Sequence, residues 1–470
     1  IQLYDFGITG AAWRWIRAFL TGRRVRAVFR SAASAWFSIS AGTPQGAILS
    51  PFMFTVFVEP ISRIRLGCLL QFFADDVSVA PPPGEHGRLG DLKVSKCLEH
   101  VDLEVRIWKL RLGLAKCFVI VFSRAVPTPM PIYINDYKLK RVQKGKYLGL
   151  ILNSTFTWDD HVEYILARTR SSLKTIANNI PATAPKWSVV IQLVRALILP
   201  RISYGMPVFA PDAAQSSKLA TAVAAGLHRL LQVGNNPATM PVLVDNSLLS
   251  PEFDLLQSAL RYAHRLFKAK TARNPASEIL LRQLRAPVGG INVFAIARLV
   301  RAAQGEFKVN FDADSFSKKE VFNGALKKQR KAAAAPRAGN SDDDKARKAM
   351  LPQGPAAYLK HLSRKDATTL ALFRYNRIQL NHVKAARGAV AANACPFCPA
   401  VPETTRHALL SCSKYATARA LCFRELRAMH VPVDYATLLG AVEPLSEDRQ
   451  ERALHFIVSF LYKIREARSV

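Results

Sequence analysis

The sequence lacks the features of membrane-spanning, secreted and disordered chains. No apolar run reaches the ~18 residues that a transmembrane helix needs, and the start carries no secretory signal. Seven cysteines scattered over 470 residues are too few for a disulfide framework. Gly (23) and Pro (27) occur at ordinary frequency and half of the residues are apolar, enough for the cores of about three domains. We therefore expect an intracellular protein of the nucleus or cytoplasm, neither secreted nor embedded in a membrane.

Acidic residues are scarce. Asp and Glu number 34 against 66 Lys and Arg, which leaves a formal net charge of +32. Self-repulsion of this size is tolerable when a polyanion neutralises it. Nucleic acid is the first candidate partner, an anionic membrane surface is the second, and a basic protein with no polyanionic partner is the third alternative.

The pattern of apolar residues predicts an α+β fold in four parts. Residues 1–162 mix strand-like and helix-like spacing, and residues 163–302 are helical with proline breaks. Residues 303–352 are charged, Ala-rich and free of Trp and Tyr, as expected of a solvated linker. The basic run 327–331 within it is either linker or a nuclear localisation signal. Residues 353–470 are mainly helical again, around a group of Cys and His.

Five elements of the first part can be predicted. Helical spacing covers residues 11–20 and again 91–112. Strand-like residues flank an acidic pair within 69–80. We also expect a buried strand at 117–122 and a polar hairpin at 132–139.

The acidic pair is Asp75-Asp76, set between apolar strand-like residues. Adjacent carboxylates at the tip of an apolar hairpin repel each other and are exposed. Divalent cations relieve that repulsion, and Mg²⁺ takes carboxylate oxygens together with substrate phosphates. The alternative is a solvated acidic turn.

A Gly- and Pro-rich turn lies upstream of the acidic pair, at Thr43-Pro44-Gln45-Gly46, and a helix is expected to begin near Ser50 or Pro51. Gln45 in a tight turn can present its amide to a nucleotide or a template. The alternative is an ordinary loop.

In this order and spacing, these motifs resemble the reverse transcriptases of non-LTR (LINE-type) retrotransposons. Phe73–Asp76 is similar to the catalytic [FY]-A-D-D box of that family, and Thr43–Gly46 to the motif that precedes it. Further similar segments lie downstream: Trp108, Gly113, Leu114 and Lys116; then Lys146–Gly149 with Trp158 and His161; and Leu199–Gly205 in the thumb. The resemblance covers residues 1 to about 300.

The resemblance implies a right-hand polymerase with a palm, incomplete fingers and a helical thumb. Such an enzyme copies an RNA template onto a DNA primer or target from deoxynucleoside triphosphates. The primer 3′-hydroxyl attacks the α-phosphate while two Mg²⁺ stabilise the attacking and leaving oxygens.

The resemblance also assigns roles to individual residues. Asp75 would be the main Mg²⁺ ligand of the box, and Asp76 a second ligand or an orienting group. Lys116 would neutralise or protonate the leaving pyrophosphate. The remaining positions are binding residues: Phe73, Pro44, Gln45 and Gly46 for the nucleotide and template, and Tyr147, Leu148 and Gly149 for the primer end.

One departure from the family concerns the start of the chain. The family places another catalytic Asp in an F-D-x-x-x-A-F-D-like motif, shortly upstream of the segment that matches Leu3–Gly7. The chain starts after that motif, and Asp5 stands in the wrong context to replace it. We therefore expect an N-terminally truncated polymerase that keeps two of three carboxylates. The alternative is a catalytically dead remnant that only binds nucleic acid.

The Cys/His group near the C-terminus is Cys395, Cys398, His407 and Cys412. Three thiolates and one imidazole at this spacing suit tetrahedral Zn²⁺, and a site with four protein ligands is structural. The flanking residues are similar to the zinc module that follows these reverse transcriptases. Buried structural thiols are the alternative, and Cys422 is expected in the core.

Arginines and aromatics are interleaved near the start of the chain. Trp13–Arg17 lies in a predicted helix, and Arg23, Arg24, Arg26 and Arg30 follow. This mixture is typical of a template-contacting surface. A helix with snorkelling arginines is the alternative.

Overall fold

A computed structural model of the chain describes residues 2–64, 66–82, 84–85, 87–122, 130–180, 187–209, 211–234, 239–268, 300, 323–325, 327–328, 356–386, 388, 393–442 and 445–468. It forms two compact units, residues 1–157 and 158–470. Most of the predicted linker, 303–352, lies outside the described residues, and the four-part division stays a prediction. Of the described helices, none has the length and apolar character to span a membrane.

The first unit mixes helices with short strands, as the α+β prediction requires. Its helices are α1 (Gln2–Asp5), α2 (Gly10–Leu20), α3 (Ser50–Ser62) and α4 (Gly87–Ile107). Its strands are β1 (Arg23–Val25), β2 (Val28–Phe29), β3 (Ala32–Ala33), β4 (Phe37–Ile39), β5 (Leu69–Phe73), β6 (Asp76–Ala80), β7 (Phe118–Val119), β8 (Tyr133–Ile134), β9 (Tyr137–Lys138), β10 (Lys140–Arg141), β11 (Lys144–Tyr147) and β12 (Leu150–Asn153). The described strands pair two by two: β1 with β4, β2 with β3, β5 with β6, β7 with β10, β8 with β9 and β11 with β12.

A core in this unit lies between α3, α4 and the β5–β6 hairpin. Ile61 of α3 and Val101 and Val105 of α4 are buried, and Leu70 and Phe72 of β5 pack on them. Alternate residues of a strand point to opposite faces. One face of the β5–β6 hairpin therefore packs on the core, and this packing fixes the position of the end that carries Asp75 and Asp76.

The second predicted helix of this unit differs from the structure in its bounds. Helix α4 covers Gly87–Ile107 instead of 91–112 and ends in a Schellman motif. Lys109 has a φ of 56°, and the Leu110 N–H donates to the Val105 carbonyl at 2.8 Å. Leu110 and Leu112 pack on the core without being helical, so the apolar spacing continues past the true end of the helix.

The buried strand predicted at 117–122 is wrong in length and in burial. Only Phe118–Val119 is a strand, because its partner β10 offers two residues for pairing. Phe118 and Phe122 are exposed. The predicted helix at 11–20 and the hairpin at 132–139 are confirmed as α2 and as β8–β9.

The second unit is mainly helical in its described residues. Its helices are α5 (Asp159–Asn179), α6 (Trp187–Leu197), α7 (Leu199–Ser203), α8 (Met206–Phe209), α9 (Ala213–Leu230), α10 (Thr239–Asp245), α11 (Pro251–Lys268), α12 (Ala357–His361), α13 (Arg364–Arg374), α14 (Asn381–Ala386), α15 (Thr405–Leu410), α16 (Ala416–Ala428), α17 (Tyr435–Leu438) and α18 (Glu447–Glu466). Strands β13 (Ala394–Cys395) and β14 (Cys398–Pro402) form its hairpin.

A buried ion pair joins the helices before and after the predicted linker. Asp245, at the end of α10, receives the Arg374 guanidinium through contacts of 2.6 Å to Oδ1 and 2.7 Å to Oδ2. The hydroxyls of Tyr358 and Tyr375 also donate to Oδ2, at 3.2 Å and 2.5 Å. Three side chains from the region after the predicted linker thus converge on the Asp245 carboxylate inside the second unit.

Candidate active site and metal cluster

The acidic pair lies at the end of the β5–β6 hairpin, as predicted. Phe73 pairs with Asp76, so Ala74 and Asp75 form the two-residue turn. Ala74 adopts a φ of 50°, a left-handed conformation that costs a residue with a Cβ roughly 1 kcal/mol. A two-residue hairpin turn requires a positive φ at its first residue. Here it places Asp75 at the tip of the hairpin.

Both carboxylates are exposed. Within the described part of the chain, the side chain of neither Asp75 nor Asp76 forms a hydrogen bond or an ion pair. Two adjacent anions with no protein cation between them suit a hard divalent cation, which binds carboxylate oxygens. The residues present therefore fit a Mg²⁺ site.

The face of the hairpin that carries Asp76 also contacts Tyr147, one of the three residues predicted to hold the primer end (the primer grip). Phe73, Asp76 and Ser78 lie on the same face, because Phe73 is the cross-strand partner of Asp76 and Ser78 follows two residues later. The Ser78 hydroxyl lies 3.0 Å from the hydroxyl of Tyr147. Tyr147 is thereby fixed on the side of the sheet from which Asp76 projects.

A tight turn presents Tyr147. It ends β11 and pairs with Leu150, so Leu148 and Gly149 form the turn to β12. Their φ angles are 46° and 84°, the pair of positive values that a type I′ turn requires. Glycine accepts this conformation freely, which explains its place in the Tyr-Leu-Gly motif.

The Pro44-Gln45-Gly46 turn leads directly into α3. Helix α3 begins at Ser50, as predicted, and the Ser50 hydroxyl donates to the Pro44 carbonyl at 2.5 Å. Gly46 has a φ of 85°, and Gln45 is exposed. The Ser50–Pro44 hydrogen bond thus fixes the loop to the start of α3, and the side chain of Gln45 is exposed to solvent. The position of Gln45 beside the acidic pair stays a prediction.

Lys116 closes a short 3₁₀ turn, Leu114–Lys116. Its backbone N–H donates to the Gly113 carbonyl at 2.8 Å, and its side chain is exposed. The turn therefore presents a solvated ammonium group, and the assignment of Lys116 to the pyrophosphate stays a prediction.

The four Cys/His residues converge, as the spacing predicts. One ligand atom from each of Cys395, Cys398, His407 and Cys412 lies within 4.8 Å of all the others. The β13–β14 hairpin supplies the first two thiols. Helix α15, capped by the Thr404 hydroxyl, supplies the imidazole and leads to the last thiol.

The chemistry of this cluster fits a metal. The buried Nε2 of His407 has no hydrogen-bond partner among the described residues, and an orphaned nitrogen of this kind is costly unless it binds a ligand. Burial, with the neighbouring thiols, raises the pKa of Cys412 to about 12 in the protein alone. A bound Zn²⁺ would supply the positive charge that holds the thiols as thiolates.

Two residues support these sites without being predicted ligands or substrate contacts: Ser78, which no motif includes, and Glu403, which belongs to the flanks that resemble the zinc module. Ser78 fixes Tyr147, and its only signal in the sequence is its place two residues after Asp76. Glu403 is buried beside the cluster and accepts hydrogen bonds from the Asn381 N–H at 2.6 Å and from Arg468 at 2.8 Å. It ties the hairpin of the Cys/His cluster to α14 and to the C-terminal segment. Cys422 is buried, as predicted.

Comparison with known families gives a match for the first unit. The sequence profile of the family described as "Reverse transcriptase (RNA-dependent DNA polymerase)" matches residues 2–152. This range contains the Pro44–Gly46 turn, the acidic pair, Lys116 and the Tyr147 turn.

Curated relatives also match part of the chain. A probable RNA-directed DNA polymerase from the transposon X-element of Drosophila melanogaster is 28% identical over 163 residues, which is 34% of this chain and 18% of the relative. The RNA-directed DNA polymerases from the mobile element jockey of Drosophila funebris and Drosophila melanogaster are 24% and 21% identical, each over 41% of this chain and 22% of the relative. The matches thus span about a fifth of each relative, and they confirm the resemblance to non-LTR retrotransposon reverse transcriptases.

Proposed function

Because residues 2–152 form a reverse transcriptase domain related to those of non-LTR retrotransposons, we propose that the protein is an RNA-directed DNA polymerase. The observation that carries this proposal is the pair of exposed, unpartnered carboxylates at the turn between β5 and β6. A solvated acidic turn does not explain why the Tyr147 hydroxyl is bonded to Ser78 on the face that carries Asp76.

The proposed reaction is nucleotidyl transfer to a primer 3′-hydroxyl. Asp75 and Asp76 would hold divalent cations, which supply the charge that stabilises the attacking and leaving oxygens. The strained turn keeps both carboxylates at the tip of a hairpin whose other face is packed on α3 and α4. That rigidity is what a catalytic site needs in order to hold its ligands in register.

The other residues of the domain would bind the substrates. Tyr147, fixed by Ser78, would support the primer end, and Phe73 shares a sheet face with Asp76 on which a nucleotide can rest. Gln45 would contact the nucleotide and the RNA template from its pinned turn. Lys116 would balance the charge of the leaving pyrophosphate.

We propose the matching architecture for the whole chain. The first unit would be the palm with part of the fingers, and the helices from α5 onward would include the thumb. The second unit would carry a structural Zn²⁺ at Cys395, Cys398, His407 and Cys412, since four protein ligands leave no open position for catalysis. Its role would be to order the β13–β14 hairpin and α15.

Primer extension by the full chain tests the proposed activity. A labelled DNA primer annealed to an RNA template should lengthen in the presence of Mg²⁺ and deoxynucleoside triphosphates. Asp75→Asn should lower incorporation by more than about 100-fold, because even the outer-shell partners of a metal contribute about 10- to 100-fold.

Asp136→Asn provides a matched control. Asp136 lies in the exposed two-residue turn of the β8–β9 hairpin, in the same unit, so the same chemical change is made outside the proposed site. This variant should extend the primer like the wild type. A wild-type chain that binds primer–template but adds no nucleotide would contradict the proposal and indicate a remnant that only binds nucleic acid.

A further inference from the structure

The segment between α1 and α3 has an unusual distribution of charge. Asp5 and Glu59 are the nearest acidic residues on either side, and the sequence between them contains six arginines, no lysine and no carboxylate. Four of these arginines lie at residues 23–30, in or beside the β1–β4 and β2–β3 hairpins. The segment is thus positively charged with no local anion to neutralise it.

Two arginines share one exposed indole. The guanidinium carbons of Arg24 and Arg26 lie 5.5 Å and 4.8 Å from the centre of the Trp36 ring. Arg24 pairs across the hairpin with Ser38, so Arg24, Arg26 and Trp36 lie on the same face. We call these three residues the Arg–Trp surface. Trp36 is 50% exposed.

The donors of this surface are available. Among the residues that the structure describes, the side chains of Arg24 and Arg26 form neither a hydrogen bond nor an ion pair. Arg23, the neighbour on the opposite face, differs: its guanidinium donates to the carbonyls of Leu20, Ala41 and Gly42. Arg23 therefore holds the hairpin to the loop that precedes Pro44, whereas Arg24 and Arg26 retain their donors for a ligand.

We propose that the Arg–Trp surface binds a single strand of nucleic acid. Bases stack on the indole and on the guanidinium planes, and the phosphates accept from the arginine N–H groups. Duplex bases are stacked on each other and cannot reach an exposed ring, so a duplex would meet only the charges. The inference adds a binding surface to the proposed polymerase, but it requires no catalysis.

Fluorescence anisotropy with the full chain tests the proposal. The probes are labelled oligo(U) and oligo(dT) of about 20 nucleotides, which exceeds the 4–16 nucleotides of common single-strand sites, and a blunt duplex of equal length. Mg²⁺ and nucleotides are left out, so that a failure of polymerisation does not affect the result. Comparison of the two oligonucleotides shows whether RNA or DNA is the preferred strand.

Two variants separate stacking from charge. Trp36→Ala should weaken single-strand binding by about 5- to 150-fold, the loss expected for one stacked base, with an unchanged salt dependence and little effect on duplex binding. Arg24→Ala/Arg26→Ala should also weaken binding and should lower the slope of log K against log salt by about 1.4, for two phosphate contacts.

Matched controls keep the proposal falsifiable. Arg88→Ala/Lys96→Ala removes the same charge from exposed positions of α4 and should leave single-strand affinity within about twofold. Arg24→Lys/Arg26→Lys preserves charge and should fold even if Trp36→Ala does not. It should weaken binding without changing the salt slope, because the planar groups are lost.

Three outcomes would overturn the proposal. The first is single-strand affinity unchanged by Trp36→Ala and by Arg24→Lys/Arg26→Lys. The second is an equal loss in the control Arg88→Ala/Lys96→Ala. The third is that Trp36→Ala weakens binding to phosphatidylserine vesicles but leaves binding to single-stranded nucleic acid unchanged, which would assign the surface to a membrane.

Discussion

The buried Asp245–Arg374 pair allows a quantitative test of the second unit. The Asp245 side chain is 1% exposed and that of Arg374 6%. Burial acts to lower the pKa of Arg374, but the charge and hydrogen bonds of Asp245 outweigh it and raise the pKa of Arg374 above its usual value. Asp245→Asn keeps the shape of the side chain and removes its charge. It leaves a buried guanidinium without a counter-ion, which typically costs about 3–5 kcal/mol.

Hydrogen exchange of the full chain measures this cost in each unit separately. A loss of 3–5 kcal/mol should speed exchange in α10 and α13 by roughly 150- to 5,000-fold where exchange reports unfolding of the unit. Peptides from the first unit, such as those of α3, should keep their rates. The double variant Asp245→Asn/Arg374→Met removes both charges and should recover part of the loss, since no uncompensated charge remains.

A small effect would refute this reasoning. If Asp245→Asn changes exchange in α10 by less than about fivefold, the ion pair contributes under 1 kcal/mol. If the double variant is as unstable as Asp245→Asn, then the cost comes from packing and the hydroxyl bonds of Tyr358 and Tyr375 instead of the unpaired charge.

Three further predictions concern single sites. Metal analysis of the full chain should find about one equivalent of Zn²⁺. The variant His407→Ala should bind less than half an equivalent, whereas Cys422→Ala, a change in the core, should bind as much as the wild type. Burial, chiefly, lowers the pKa of His228 to about 4. As pH falls, the unfolded chain therefore takes up this proton before the folded chain does, and the free energy of unfolding of the second unit should fall by about 3 kcal/mol between pH 6.5 and pH 4. The fall should be smaller in His228→Phe, and an equal pH dependence of stability in the two proteins would contradict the prediction. Ala74→Gly should raise the free energy of unfolding of the first unit by roughly 1 kcal/mol, because glycine adopts the left-handed conformation without strain. A lower stability in thermal unfolding would show that Ala74 is not strained at that turn.

Motifs with strong local chemistry are the part of the structure that the sequence predicts well. The β5–β6 hairpin is predictable because apolar residues flank Asp75 and Asp76 on both sides. The start of α3 follows from Pro51, which fits the first turn of a helix. The Cys/His cluster follows from ligand spacing alone.

Contacts between distant segments are not predictable in this way. Ser78 and Tyr147 are 69 residues apart, and no periodicity links their hydroxyls. Asp245 and Arg374 are 129 residues apart, with the predicted linker between them. Helix α4 ends where Lys109 adopts a left-handed conformation. A lysine gives no sign of this in the sequence, whereas a glycine would have suggested it.

Cation binding at the Asp75–Asp76 turn is measured most directly by iron-mediated cleavage of the full chain. Fe²⁺ with ascorbate and peroxide cuts the backbone next to the site that it occupies. We expect a cut within a few residues of Asp75 that Mg²⁺ competes away, that disappears in Asp75→Asn/Asp76→Asn and that persists in Asp136→Asn. The absence of a cut there, or a cut that Mg²⁺ does not suppress, would contradict a nucleotidyl-transfer site at this hairpin.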